Sequence, residues 1–180
     1  MKEHIERISR ELVYKGTILD IYKDVMRAPS GKEEIWDFVS HRMGAACVLP
    51  VLDNGRILLV RQYRPALDRE TLEVPAGCRD SVSEDTMVCA KRELEEETGY
   101  TCKSIERLLS LKSTVAFCNE SIDVYLARGL EPSTQKLDDM EDIEIEEFSL
   151  KELEDMIYKG IIQDAKTVSA ILAYANMVHS

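Results

Sequence analysis

Apolar residues along the chain follow two periods, and the switches between them mark its elements. Tyr14 to Val25 mixes β-branched and aromatic residues, Pro29-Ser30-Gly31 offers a turn, and Glu34 to Val39 alternates polar with apolar positions. A small antiparallel strand unit is expected there. Ala45 to Val51 and Ile57 to Gln62 are apolar runs joined through Asp53-Asn54-Gly55, whose Asn-Gly pair suits a hairpin turn needing positive φ. A short strand, Thr71 to Val74, ends at Pro75-Ala76-Gly77. The period then changes. From about Glu84 to Thr98, Met87, Ala90 and Leu94 recur at helical spacing, Ser81 and Glu84 are spaced as a capping box, and Gly99 suits the position just past a helix end. Lys103 to Leu111, Ile122 to Leu126 and Ile143 to Phe148 read as strands. Two helices close the chain: one opened by Ser149 with Glu152 and stopped by Gly160, the other from about Ala165 to Val178 with Asp164 as N-cap. Mixed strands with interspersed helices predict an α/β sandwich, with residues 1–42 as an N-terminal antiparallel strand extension and 43–180 as the main domain.

Composition narrows the function. At 180 residues, 44% hydrophobic and 32% charged, the chain suits one folded domain, and neither disorder nor a fibrous repeat fits. The 23 basic and 34 acidic side chains leave a formal charge of −11, which argues against nucleic acid as a partner, although a local basic pocket or a bound cation can still receive a small phosphorylated molecule. The five cysteines are odd in number, scattered and free of metal or redox spacing, and read as reduced packing residues. The first twenty residues hold no apolar core of a signal peptide, and no 18-residue apolar run occurs. A cytoplasmic protein without membrane spans is expected.

The segment Arg92-Glu93-Leu94-Glu95-Glu96-Glu97-Thr98-Gly99 crowds acids into the end of a helix. Like charges three or four residues apart cost about 0.2–0.5 kcal/mol per pair, and acids near a helix C-terminus oppose the macrodipole by about 0.3–1 kcal/mol each. With Glu93 as zero, Glu97 falls at about 40° and Glu96 at about −60°, while Leu94, Ala90 and Met87 lie near about 60–120°. One stripe packs; the adjacent one aims three carboxylates at a common place. Hard oxygen donors so clustered suit Mg²⁺ or Mn²⁺, which complete their shells with water and substrate phosphates. Arg92 and Glu84 fall on neighbouring sectors, where a salt bridge would orient the acids. On the helix alone, a solvated acidic face explains the pattern equally well.

The wider constellation decides between them. Gly77, Glu84, Arg92, Glu93, Leu94, Glu96, Glu97 and Gly99 follow one another at nearly the spacing of the Nudix hydrolase signature, which this chain resembles. The resemblance implies the Nudix fold, mixed β-sheets sandwiched between helices. One departure is local: six residues, Cys78 to Ser83, separate Gly77 from Glu84 where the signature has five, which places an extra residue in the loop before the helix and leaves the acids in register.

Leu58 to Pro65, Leu72-Glu73-Val74-Pro75-Ala76-Gly77 and Asp164-Ala165-Lys166-Thr167 are similar to the ADP-ribose pyrophosphatase branch, so similarity runs from about Glu11 to Met177. That resemblance implies Mg²⁺, or Mn²⁺, held by Glu93, Glu96, Glu97 and the Ala76 carbonyl. It also implies Arg64 on the phosphates or terminal ribose, Trp36 stacked on a nucleobase, Glu120 as a further site acid, and Glu141 in the acidic loop Leu137 to Ile143 as general base. Glu96, Arg92 and Glu84 complete the catalytic set. The N-terminal strands are implied as a homodimer interface that helps build the partner's site. The expected activity is hydrolysis of the pyrophosphate of a nucleoside diphosphate sugar, ADP-ribose giving AMP and ribose 5-phosphate. A second departure bears on the sugar: Thr114-Val115-Ala116 stands where the branch usually has Ser-Pro-Gly. Another nucleotide sugar, an oxidised nucleoside diphosphate, or a non-catalytic nucleotide-sugar-binding module are the alternatives.

Overall fold

Gly16 breaks what reads in sequence as a single run, Tyr14 to Val25. A Cβ there would lie 2.5 Å from the Leu19 carbonyl oxygen, to which the Gly16 N–H donates at 2.8 Å. The chain therefore turns, and β1 (Glu6–Lys15) and β2 (Leu19–Arg27) lie side by side. A second turn, with Gly31 at φ 84, leads into β3 (Glu33–His41). These details come from a computed structural model that describes residues 4–179. The three strands form an antiparallel sheet in the order β1-β2-β3, as the alternation of Glu34 to Val39 predicts. Most of β1 lies outside the predicted run, because the charges of Glu6-Arg7-Ile8-Ser9-Arg10-Glu11 obscure its alternation. Arg10 forks onto Asp24 at 2.7 Å and lies 3.9 Å from the Phe38 ring centre. Otherwise the sheet buries little: β1 is exposed along its whole length, as are Ile35 and Trp36. The strands up to Gly44 together with Lys112–Ser121 make one compact unit.

The second unit, Ala45–Leu111 with Ile122 onward, is a sheet in the order β10-β5-β4-β9-β8, with β6 on β5 and β7 on β4. Its elements are β4 (Ala45–Val51), β5 (Ile57–Arg64), β6 (Arg69–Glu73), β7 (Ala76–Cys78), α1 (Thr86–Thr98), β8 (Tyr100–Lys112), β9 (Ser121–Pro132), β10 (Ile143–Phe148), α2 (Leu150–Tyr158) and α3 (Ala165–His179). β4 is buried on both faces, which explains its unbroken apolar run. Cys47 and Leu49 pack with Leu153, Ile171 and Tyr174 from α2 and α3, while Ala46 and Val48 pack with Cys89, Ala90 and Leu94 from α1. Helices thus cover both faces of the sheet, the expected α/β sandwich. Each fully buried Leu, Ile or Val contributes about 1.5–3 kcal/mol.

Local signals set most boundaries. β4 and β5 pair antiparallel at Val51 and Ile57 across a turn in which Gly55 has φ 82. Ser149 and Glu152 make the predicted capping box on α2, and Asp164 accepts the Thr167 N–H at 3.0 Å to open α3. Pro75 does not end the sheet: Ala76, Gly77 and Cys78 continue as β7 against β4. The capping box predicted for Ser81 and Glu84 is also replaced. Asp85 caps α1, its carboxylate accepting the Met87 N–H at 2.8 Å, because the Glu84 carboxylate is taken by the Asp80 N–H at 2.7 Å.

Candidate active site

α1 begins at Asp85 and ends at Gly99, whose φ of 67 closes the helix with its N–H on the Glu95 carbonyl. Between those ends the packing stripe Ala90 and Leu94 seats the helix on the sheet and fixes the direction of the neighbouring acids. Glu93 and Glu97 are buried, and Glu96 is half-buried. Glu93, Glu96 and Glu141 line one cavity of about 240 Å³, together with Ala76, Gly77 and Cys78 of β7. A Cβ on Gly77 would lie 2.1 Å from Glu93 Oε1, so a larger residue there would push the carboxylate from its place against the β7 backbone. Glu97 turns aside from the cavity, its Oε2 accepting the Ala76 N–H at 3.0 Å.

Arg92 binds the acids together. Its guanidinium donates to Glu93 at 2.7 Å, Glu96 at 3.0 Å and Glu84 at 3.4 Å, and to the Cys78 carbonyl at 3.1 Å. The predicted Glu84–Arg92 bridge is therefore present. Glu84 reaches the cavity only through Arg92, and the Asp80 N–H and Arg92 hold it below the usual carboxylate range against a burial penalty. Burial pushes Glu93 up to about 7, against the pull of Arg92, with Glu96 and Glu141 adding repulsion. Burial also raises Glu97 to about 8, the Ala76 N–H opposing it and Glu93 and Glu141 reinforcing it. No ion pair joins Glu97 to a cation among the described residues.

The expected general base, Glu141, reaches the same cavity from the loop after β9 and accepts the Asp138 N–H at 2.9 Å. That loop is strapped to the end of α1: Lys136 N–H donates to the Glu96 carbonyl at 2.9 Å, and Gln135 Nε2 to the Glu97 carbonyl at 2.7 Å. Lys136 also lines the cavity, and no local sequence signal marks it. Arg64 stands on β5 at a separate cavity of about 400 Å³, paired through two hydrogen bonds with Glu73 at 2.7 and 2.6 Å. Its charge and that of Glu97 still act on each other. Trp36 and Glu120 belong to the first unit. Trp36 is 44% exposed on β3, which excludes a core position for it. Glu120 lies 3.7 Å from His41 Nε2. Thr114 leads into a turn at Val115 to Phe117, and its carbonyl accepts the Cys118 N–H at 3.0 Å.

Among the described residues, no three acid, histidine or cysteine side chains already form a cage for a metal ion; the Arg92 charge lies among the acids instead. The donors nevertheless suit a divalent cation. They are all hard oxygens, Gly77 leaves room for the Glu93 carboxylate, and burial makes the charged forms of Glu93 and Glu97 costly, a cost that a bound cation would offset.

A family model described as NUDIX domain matches residues 41–170. The chain belongs to the Nudix family. An ADP-ribose pyrophosphatase of Bacillus subtilis (strain 168) is 36% identical over 166 residues, which cover 91% of this chain and 89% of the relative. A protein of Bacillus methanolicus named methanol dehydrogenase activator is 35% identical with the same coverage. A GDP-mannose pyrophosphatase of Yersinia enterocolitica serotype O:8 is 30% identical across 98% of this chain and 97% of its own length. The crystal structure of an ADP compounds hydrolase superposes with a TM-score of 0.89 over 98% of this chain and 95% of that one, at 18% identity, a likeness of fold alone.

Proposed function

We propose that this Nudix enzyme hydrolyses the pyrophosphate of a nucleoside diphosphate sugar with Mg²⁺ or Mn²⁺, and that ADP-ribose is its substrate, giving AMP and ribose 5-phosphate. The observation that carries the reading is the meeting of Glu93, Glu96 and Glu141 on one cavity with Ala76 and Gly77. The relative named ADP-ribose pyrophosphatase supports the choice of substrate.

Glu93, Glu96, Glu97 and the Ala76 carbonyl would hold the ions. A bound divalent cation supplies Lewis acidity toward the diphosphate and lowers the pKa of water. Arg92 keeps Glu93 and Glu96 turned to one side, and Glu84 steadies Arg92. Glu141 takes the proton of the attacking water. Arg64 meets the phosphates, and the exposed Trp36 offers a base about 1–3 kcal/mol of stacking. The bare apolar side chains Leu12, Val13, Tyr14 and Ile35 of the first unit support a homodimer joined through the N-terminal strands, which then supply Trp36 to a neighbouring site, with Glu120 as a further site acid. Five free cysteines accord with a cytoplasmic setting. No helix of the described residues is long and apolar enough to cross a membrane.

The test is a turnover screen of ADP-ribose, GDP-mannose and an oxidised nucleoside diphosphate with Mg²⁺ or Mn²⁺, run in ¹⁸O water to locate the attacked phosphorus. AMP and ribose 5-phosphate from ADP-ribose are expected. Faster turnover of GDP-mannose would move the reading to that sugar. A second reading comes from the Bacillus methanolicus relative, whose name describes action on another enzyme; binding of a nucleotide sugar with no turnover in this screen would favour it.

A further inference from the structure

A second buried charge cluster lies in the main unit, and of its members only Arg64 has a part in the chemistry proposed above. Glu73, at the end of β6, is 3% exposed. It accepts from Arg64 Nε and Nη2 at 2.7 and 2.6 Å, from Thr71 Oγ1 at 2.6 Å and from the Lys166 ammonium. Lys166 sits in the first turn of α3 and also reaches Asp164 at 3.0 Å. The same Asp164 oxygen accepts the N–H and hydroxyl of Thr167 at 3.0 and 2.6 Å, and Thr167 Oγ1 accepts the Val74 N–H at 3.0 Å. The start of α3 is thereby fastened to Arg64 through Glu73, and directly to the backbone two residues before Ala76.

Such a cluster is a poor way to gain stability, because well-packed apolar residues often replace buried ion pairs at no loss. What it does supply is a fixed direction. Glu73 occupies Nε and Nη2 of Arg64, while Nη1 has no partner among the described residues and the side chain keeps 39% of its surface exposed. Two cations, Arg64 and Lys166, balance two carboxylates, Glu73 and Asp164. Without Lys166 the guanidinium faces two acids alone and is drawn between them.

We infer that Glu73, Lys166 and Asp164 are positioning residues that hold the Arg64 guanidinium with its free edge toward the substrate's phosphates, with the first turn of α3 as their anchor. The phosphate end of this inference rests on the function proposed above; the locking of Arg64 does not.

Lys166→Met keeps the side-chain length and removes the charge, and Lys166→Arg restores it. Two measurements are paired: steady-state hydrolysis of ADP-ribose with Mg²⁺, and the ¹H–¹⁵N signal of Arg64 Nε in metal-free protein, assigned with Arg64→Lys. In Lys166→Met, KM rises about tenfold with kcat nearly unchanged, as expected when one charge-assisted hydrogen bond to bound substrate is misplaced. The Arg64 Nε signal, sharp in the wild type, broadens or vanishes. Both effects reverse in Lys166→Arg. If Lys166→Met does not fold, Asp164→Asn takes its place with the same two readouts. An unaltered Arg64 signal in the folded variant overturns the inference, as does a KM rise that Lys166→Arg leaves uncorrected. A wild type that hydrolyses no pyrophosphate overturns the function instead, and the Arg64 signal alone then decides whether the lock exists.

Discussion

Glu73 and Glu97 are the same residue in the same structural unit, and each is 3% exposed, yet one is held down to about 2 and the other pushed up to about 8. For both, burial acts first and opposes ionisation. At Glu73 the Arg64 fork, the Lys166 charge and the Thr71 hydroxyl overcome it. At Glu97 a backbone N–H is the main relief, and Glu93 and Glu141 add repulsion. The fold thus stabilises the charge of one acid from within and leaves the charged form of the other costly. A carboxylate left costly in this way fits the metal-holding role proposed for Glu97, and a compensated one fits a brace.

Glu97→Gln is expected to separate the two acids most. Loss of a ligand charge worth several kcal/mol is expected to lower kcat about a thousandfold. The metal-free variant should gain about 2–4 °C in Tm, since about 1 kcal/mol of repulsion is relieved. Full turnover in this variant would remove Glu97 from the site. Glu73→Gln should do the reverse, costing about 3–5 kcal/mol in urea unfolding because two cations lose their buried partner; a cost under about 1 kcal/mol would deny Glu73 its bracing role.

The two glutamates also differ in how they respond to acid. Glu73 titrates in the folded chain near 2, below its ordinary value of 4.5, so its contribution is complete above about pH 5 and is lost as pH falls toward 2. Wild-type unfolding free energy should drop by about 3 kcal/mol over that window on account of this group, and Glu73→Gln should remove that share of the slope. The smallest effect belongs to Thr167→Val, which strands the Val74 N–H and should cost about 1–3 kcal/mol. A cost near zero would show that α3 does not secure this backbone.

How much of this the sequence discloses depends on the range of each interaction. The meeting of Glu93 and Glu96 on one side of α1 follows from helical geometry, and the caps at Ser149, Asp164 and Gly99 follow from residues within one turn, so these are legible. The start of α1 is not. Ser81, Ser83 and Asp85 are all capping types, and Asp85 takes the role because Glu84 is drawn to the Asp80 N–H and Arg92. The helical wheel places Glu97 in the right sector but says nothing of its side-chain torsions, which turn it to the Ala76 N–H. Glu73 and Lys166 are 93 residues apart. Family resemblance marks both segments, but only the crossing of α3 over the sheet brings the two charges together.

Gly77 carries a consequence for mutational drift. Because the Glu93 carboxylate fills the space where a side chain would begin, a replacement at this position displaces that acid from its seat. A random screen for inactive but soluble variants should therefore return residue 77 as often as the glutamates themselves, although it offers the chemistry no functional group.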